Sequence, residues 1–176
     1  MATEAAKEAW VDSEFFLMDA ENMNFDEQFD VIWSIESISH YADKKKFFES
    51  ALNFLKPGGT IALIDWFKKE DLSEKEFEKY IVPIEEGMLV ELQTMTNYVS
   101  YLQDNGCEVL KIDNLNDRTS KTWDISLDII KNKSFWDLAL KNGKEFVHFL
   151  QSFRSMKAGF SSWKFVYGMI IAKKSK

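Results

Sequence analysis

The sequence predicts an α/β fold, an open sheet flanked by helices, and three observations predict it. Residues 29–34, Phe-Asp-Val-Ile-Trp-Ser, form a short apolar run with polar bounds, the mark of a strand buried on both faces. Residues 60–67 form a second such run, and between the two Phe47, Phe48, Ala51, Leu52 and Leu55 recur at helical spacing. Two buried strands linked by a helix make a right-handed crossover, so their C-terminal ends face one crevice. Directly after the first of them comes a polar turn carrying Glu36, Ser39 and His40, at the end of the sheet where open α/β folds bind ligands.

Taken in order, residues 2–10 are dense in Ala, Glu and Lys and read as a helix. Residues 14–18 are a compact apolar run and read as a strand ending at Asp19, with a loop over residues 22–28. After the strand at 29–34, Asp43 can cap a helix that runs to about Leu55. Lys56, Pro57, Gly58 and Gly59 end it, because proline cannot continue a helix and glycine supplies the turn. Residues 73–91 alternate acidic clusters with Phe77, Tyr80, Ile81, Ile84 and Met88, which predicts one or two amphipathic helices interrupted near Pro83. A further helix spans residues 96–105 and stops at Asn105-Gly106; a strand follows over residues 108–115. Residues 117–161 read as helical, broken at Asn142-Gly143 and at Gly159, and residues 163–172 alternate as the final strand. No repeat or low-complexity linker divides the chain, so residues 1–176 read as one domain.

The chain's 176 residues suffice for one domain with a real core. Fifteen Phe and six Trp favour a packed interior over disorder. A formal charge of −7 argues against a nucleic-acid partner, which needs a basic face. The single cysteine, Cys107, excludes an internal disulfide and a cysteine-based zinc cluster. With no basic-then-apolar leader and no apolar run of spanning length, a cytoplasmic protein away from membranes is expected.

Four stretches carry a resemblance: Asp19-Ala-Glu-Asn-Met23, the stretch from Phe29 through Glu36 and His40 to Tyr41, Leu55-Lys-Pro-Gly-Gly-Thr60, and Ile64-Asp-Trp-Phe67. In order and spacing they resemble successive motifs of class I S-adenosylmethionine-dependent methyltransferases. The nearest likeness is to the methyltransferase type 11 subgroup, which includes tocopherol, sterol and glycine-betaine-pathway enzymes. The resemblance implies a Rossmann-like sheet made of strands 3 to 7 of the family's set, with a helical insertion before the last strand. It implies S-adenosyl-L-methionine as cofactor and methyl transfer to an O, N or C nucleophile of a small molecule. The rival expectation is a catalytically silent methyltransferase-like module that binds a partner or ligand. The turn after residue 34 lacks the Asn/Asp-Pro-Pro-aromatic motif of base amino-methylation, which again sets nucleic acid aside.

By the same resemblance, Asp19 and Ala20 recognise the adenine edge, one carboxylate acceptor beside one backbone donor, and Met23 lies against the ring. Ser34 and Glu36 flank the methionine part of the cofactor. His40 is the candidate general base, since an imidazole titrates near working pH, and Asp65 is its candidate orienter. The plainer readings stand beside these: Asp19 capping a turn, Glu36 a solvated acid at a helix start, His40 hydrogen-bonded into its turn, and Asp65 capping a strand end. His148 lies in an apolar helical stretch and reads as a core or partner-facing residue. Trp66, Phe67, Phe135, Trp136, Phe149, Phe153, Phe160 and Trp163 are candidate roof residues for an apolar pocket, against a plain core role.

In the family the chain starts earlier, with a strand, a Gly-rich turn, a helix and a second strand ending in an acid. Here no glycine precedes Gly58, so the cofactor floor and ribose clamp are expected to be missing. Without those strands the one at 29–34 becomes an apolar edge, which invites pairing. Three completions are open: a longer reading frame, a separately encoded N-terminal segment, or self-association through that edge.

Overall fold

The computed structural model describes residues 2–176; Met1, on which the expected start of the chain rests, lies outside the described residues. Helix α1 (Ala2–Glu8) is followed by β1 (Phe29–Ile35), α2 (Lys44–Asn53) and β2 (Leu55–Lys68). Then come α3 (Glu74–Glu76), a π-turn (Phe77–Ile81), α4 (Val82–Met88), α5 (Met95–Asp104) and β3 (Cys107–Asn114). Helices α6 (Asn116–Thr119), α7 (Lys121–Ile130), α8 (Lys133–Asn142) and α9 (Lys144–Ser161) precede β4 (Phe165–Lys174). The strands form one sheet in the order β1-β2-β4-β3. β1 and β2 are parallel, as the crossover requires, while β4 runs antiparallel between β2 and β3. No helix among the described residues is long and apolar enough to cross a membrane.

Each element follows from its local chemistry. Asp43 caps α2, its Oδ1 accepting from the Lys46 N–H at 2.9 Å. The helix closes at Phe54, and pairing resumes at once, before the Pro-Gly-Gly turn expected to separate helix from strand. Phe29 pairs with Leu55 and Val31 with Thr60, so a step of two residues in β1 meets five in β2. Lys56 to Gly59 bulge out, with Gly58 at φ +78°. Pro83 lies in the first turn of α4; lacking an N–H, it leaves the preceding turn to widen into the π form. The break expected at Gly143 occurs, at φ +87°, but Gly159 lies inside α9. A Cβ there would stand 3.0 Å from the Phe165 Cβ, so that glycine serves close packing, not termination.

One sheet face carries the main core. Ile61, Leu63, Phe67, Ile170 and Ala172 pack under α2 and α5 through Phe48, Leu52, Tyr98 and Leu102, all essentially solvent-free. A second core of Ile84, Leu92, Trp123, Met156, Phe160 and Phe165 builds a helical cap from α4, α7 and α9. Because Phe165 opens β4 opposite Lys68, the last residue of β2, this cap sits at the C-terminal end of β2. The cap depends on Gly87 of α4, where a Cβ would lie 2.4 Å from the Ser152 Cβ of α9. Gly87→Ala is therefore expected to destabilise the protein by about 1–3 kcal/mol, read as a fall in urea midpoint with an unchanged slope.

Two regions depart from a closed architecture. Residues 14–18 form no strand, contrary to expectation; residues 11–19 carry no regular structure. The physical reason is the missing neighbour: an apolar run becomes a strand only when its backbone groups find a ladder. Phe15, Phe16 and Leu17 are exposed, and Phe16 packs edge-on against Phe25, at 5.5 Å. Second, β1 is an edge strand, as expected, and its Val31, Trp33 and Ile35 are exposed by 58%, 71% and 45%. They stand in register with Thr60, Ala62 and Ile64 of β2, so one face of the sheet is apolar and largely open.

Candidate functional site

The site grows out of the end of β1. The Glu36 N–H donates to the Ile64 carbonyl at 2.8 Å, the last rung of the parallel ladder. Glu36 then turns left-handed at φ +49°, unusual for a non-glycine residue and a recurrent mark of functional turns. Its Oε1 accepts from the Tyr167 hydroxyl of β4 at 2.7 Å. Burial first, and the adjoining carboxylate second, push the Tyr167 phenol well above its ordinary value, so it stays protonated and donates.

Beyond Glu36, a 3-10 turn spans Ile38–His40, with Ile38 and Ser39 buried and His40 exposed. Asp65, only 1% exposed, lies beneath it. Its Oδ2 accepts from the Ser39 N–H at 2.9 Å and its Oδ1 from the Trp66 N–H at 2.8 Å. The Tyr98 hydroxyl stands 3.5 Å from Oδ2. Desolvation raises the Asp65 carboxyl above its ordinary 3.8 even though these donors pull the other way. The hydrogen bonds of Asp65 thus fasten the β1–α2 turn; among the described residues none joins it to His40. Lys44, 2% exposed, donates to the Tyr41 carbonyl at 2.9 Å, and burial lowers its ammonium despite the pull of Glu91 and Asp65.

A second turn, Ala20–Asn22, stands against this one. Asp19 caps it: Oδ1 accepts from the Glu21 N–H at 2.9 Å and Oδ2 from the Asn22 amide at 2.5 Å. Those bonds hold its exposed carboxyl below the ordinary value. Ala20 and Met23 pack on the main core, and the Met23 N–H donates to Ser50 Oγ at 2.9 Å. Glu21 ties the two turns together, its Oε1 accepting from the Ala42 and Asp43 amides at 2.8 and 3.1 Å. Ser34, half-buried in β1, pairs with Leu63.

Beside Glu36 the helical cap borders an open cavity of about 410 Å³. Trp66, Trp123, Phe153, Phe160 and Tyr167 are its aromatic lining, and among the described residues no lysine, arginine or histidine lines it. Of the aromatic residues singled out in the sequence, three line this cavity: Trp66, Phe153 and Phe160. Phe67 belongs to the main core, and Phe135, Trp136 and Phe149 pack around Ile130 and Leu150. His40 is not among the lining residues, and His148 is exposed on α9. Sequence reasoning missed Tyr167, whose only signal is its place in an alternating strand. It also missed Glu21, which a sequence cannot distinguish from any solvated acid.

Residues 1–63 match the methyltransferase domain family, Methyltransf_11. A 2-methyl-6-phytyl-1,4-hydroquinone methyltransferase from Synechocystis sp. is 39% identical over 62 residues, covering 35% of this chain and 20% of that protein. The chloroplastic tocopherol O-methyltransferase of Arabidopsis thaliana is 24% identical over 173 residues, covering 91% of this chain and 48% of its own. Among solved structures, the (4+2)-cyclase SpnF superposes with a TM-score of 0.80 at 18% identity, over 99% of this chain and 61% of that one. A geranyl diphosphate C-methyltransferase from Streptomyces coelicolor A3(2) gives a TM-score of 0.72 at 18% identity, over 97% and 59%.

Residues 1–63 are thus similar to the methyltransferase domain family, and the chain shares its fold with a solved C-methyltransferase. It spans less than half the length of these two curated relatives, and a cyclase shares its fold, so activity has to be argued from its own residues.

Proposed function

We propose that the chain forms the acceptor side and adenine side of an S-adenosylmethionine-dependent methyltransferase acting on a small molecule. The observation that carries this reading is the turn after β1, where a left-handed Glu36 faces an aromatic cavity while Glu21 links the same turn to Asp19-Ala20. The donor set suits adenine: the exposed Asp19 carboxylate keeps accepting capacity, and the Ala20 N–H opens its turn, where first amides have no helical partner. Met23 offers the ring a polarisable neighbour. Ser34 and Glu36 would flank the methionine part. S-adenosyl-L-methionine, when bound, supplies an electrophilic methyl group on a sulfonium.

The protein's own part is alignment and exclusion of water. Asp65 fixes the turn, and through it the height at which Glu36 and His40 stand. His40, exposed on that turn, takes the proton released when an oxygen or nitrogen nucleophile is methylated. Tyr167 is no base, since its phenol holds its proton more tightly than an ordinary tyrosine. Calorimetric titration with S-adenosylhomocysteine tests the reading. A saturable heat is expected, with affinity about tenfold weaker in Asp19→Ala, which loses one charged acceptor. No heat from the unaltered chain favours the silent, ligand- or partner-binding module.

The open β1 edge favours a companion strand. We propose that it is completed either by a second copy or by an N-terminal segment supplying the ribose contacts, so that the present residues make half of the donor pocket. If copies pair through this edge, Trp33→Lys is expected to convert dimer to monomer in sedimentation velocity; an unaltered mass excludes self-pairing there. We place the protein in the cytoplasm, which cell fractionation tests.

A further inference from the structure

We infer that the Glu36 carboxylate accepts the ammonium of the ligand's methionine part, and that Tyr167 is the residue that positions that carboxylate. The inference rests on the methyl-transfer reading above, which sets Glu36 beside the methionine part but gives neither residue a contact to make.

Three observations support it. The first is the strain of the position. Glu36 sits at φ +49°, a backbone that glycine adopts freely and a residue with a β-carbon does not. At the end of a strand, where open α/β sheets bind ligands, the strained residue brings what glycine lacks, a negative charge.

The second is that this charge is unanswered. Glu36 is exposed, and none of the ion pairs among the described residues includes it. Its Oε1 accepts from the Tyr167 hydroxyl, a neutral donor, and no hydrogen bond among the described residues reaches Oε2. An ionised carboxylate has only lone pairs to offer, so a cation that carries protons completes it best. Of the two cationic groups of S-adenosylmethionine, the ammonium has such protons and the sulfonium has none.

The third is the anchoring of Tyr167. Its N–H donates to the Asn116 Oδ1 at 2.9 Å, and its carbonyl accepts from the Leu115 N–H at 2.8 Å. Asn116, 2% exposed, also donates its amide to the Phe165 carbonyl at 3.1 Å, so one side chain grips β4 at residues 165 and 167. The phenol therefore projects from a fixed strand, and its 2.7 Å bond sets where the Glu36 carboxylate stands. A cross-link that only steadied the fold would affect every ligand alike; one that aims a charge affects only the ligand that meets it.

The test is calorimetric, on the full chain, with two thioether nucleosides. S-adenosylhomocysteine carries the ammonium; 5′-methylthioadenosine lacks the whole amino-acid part. Glu36→Gln keeps an acceptor for Tyr167 and removes the charge. It is expected to weaken S-adenosylhomocysteine about ten- to a hundredfold and to leave 5′-methylthioadenosine unmoved. Tyr167→Phe keeps both main-chain anchors and is expected to weaken S-adenosylhomocysteine about three- to tenfold, again sparing the other ligand. Added to Glu36→Gln, Tyr167→Phe is expected to cost less than about twofold more, because the charge it aims is gone. Both variants are checked for native amide dispersion. A substitution at either residue that weakens both ligands alike, or neither, overturns the inference. Equal affinity of the unaltered chain for the two ligands removes this inference alone, since the nucleoside is still held. No heat from either ligand removes the methyl-transfer reading and this inference with it.

Discussion

His40→Ala is expected to lower methyl transfer to an oxygen or nitrogen nucleophile by about 10²–10⁴-fold, the usual contribution of a positioned general base. The fold should hardly notice. His40 is exposed, and its backbone N–H donates to the Ser37 carbonyl at 3.2 Å, a bond that alanine keeps. A surface substitution of this kind changes stability by no more than about 0.5 kcal/mol. S-adenosylhomocysteine affinity should likewise hold, because the proposed adenine contacts lie on Asp19 and Ala20. The diagnostic readout is kcat, which falls in His40→Ala while S-adenosylhomocysteine affinity holds. A rate that survives the substitution removes His40 from the chemistry.

The second large effect is on stability. Asp65→Ala is expected to destabilise the protein by about 2–4 kcal/mol, because it strips acceptors from a buried amide, a part-buried amide and a buried phenol. For a chain of this length that is a fall of roughly 5–12 °C in Tm. The penalty should depend on pH in a particular sense. Burial raises the folded carboxyl above its ordinary 3.8, so the folded state holds the proton more firmly than the unfolded chain does. The stability Asp65 contributes is full below the unfolded value and declines as pH rises through the raised folded value. The gap between the native protein and Asp65→Ala is therefore wider near pH 4 than near neutrality. Urea melts across that interval check it. A gap that widens toward neutral pH would mean that the ionised carboxylate is the favoured buried form. Because the same carboxylate fastens the turn bearing Glu36 and His40, Asp65→Ala also loosens the proposed site; Asp65→Asn keeps one acceptor and is expected to fall between the two.

Much of the fold was legible because its signals are local and redundant. Asp43 before a helical stripe, the apolar runs of β1 and β2, and Asn105-Gly106 after α5 each act within a few residues. The strand expected at residues 14–18 failed for the opposite reason. Its composition suits a strand, but pairing is supplied by a neighbour, and among the described residues no strand stands beside it. Gly159 was misread because a glycine that breaks a helix and one that admits a neighbour's Cβ look alike in one dimension. At the site, the sequence could rank Asp19, Glu36, His40 and Asp65 by their places after strands. It could not show that Asp65 bonds the Ser39 amide, or that Tyr167, 131 positions from Glu36, would close on it. Such bonds are made by strand order and register, which single residues do not announce.

We propose that two neighbouring turns, one bearing Asp19 and Ala20 and the other Glu36, hold a single nucleoside-sulfonium ligand between them. The most direct measurement is amide chemical-shift mapping of the nitrogen-15-labelled chain during titration with S-adenosylhomocysteine. The prediction is a set of saturable shifts confined to Ala20, Met23 and residues 34–36, all fitting one dissociation constant. Shifts that gather on another surface, or a spectrum unchanged up to millimolar ligand, would contradict it.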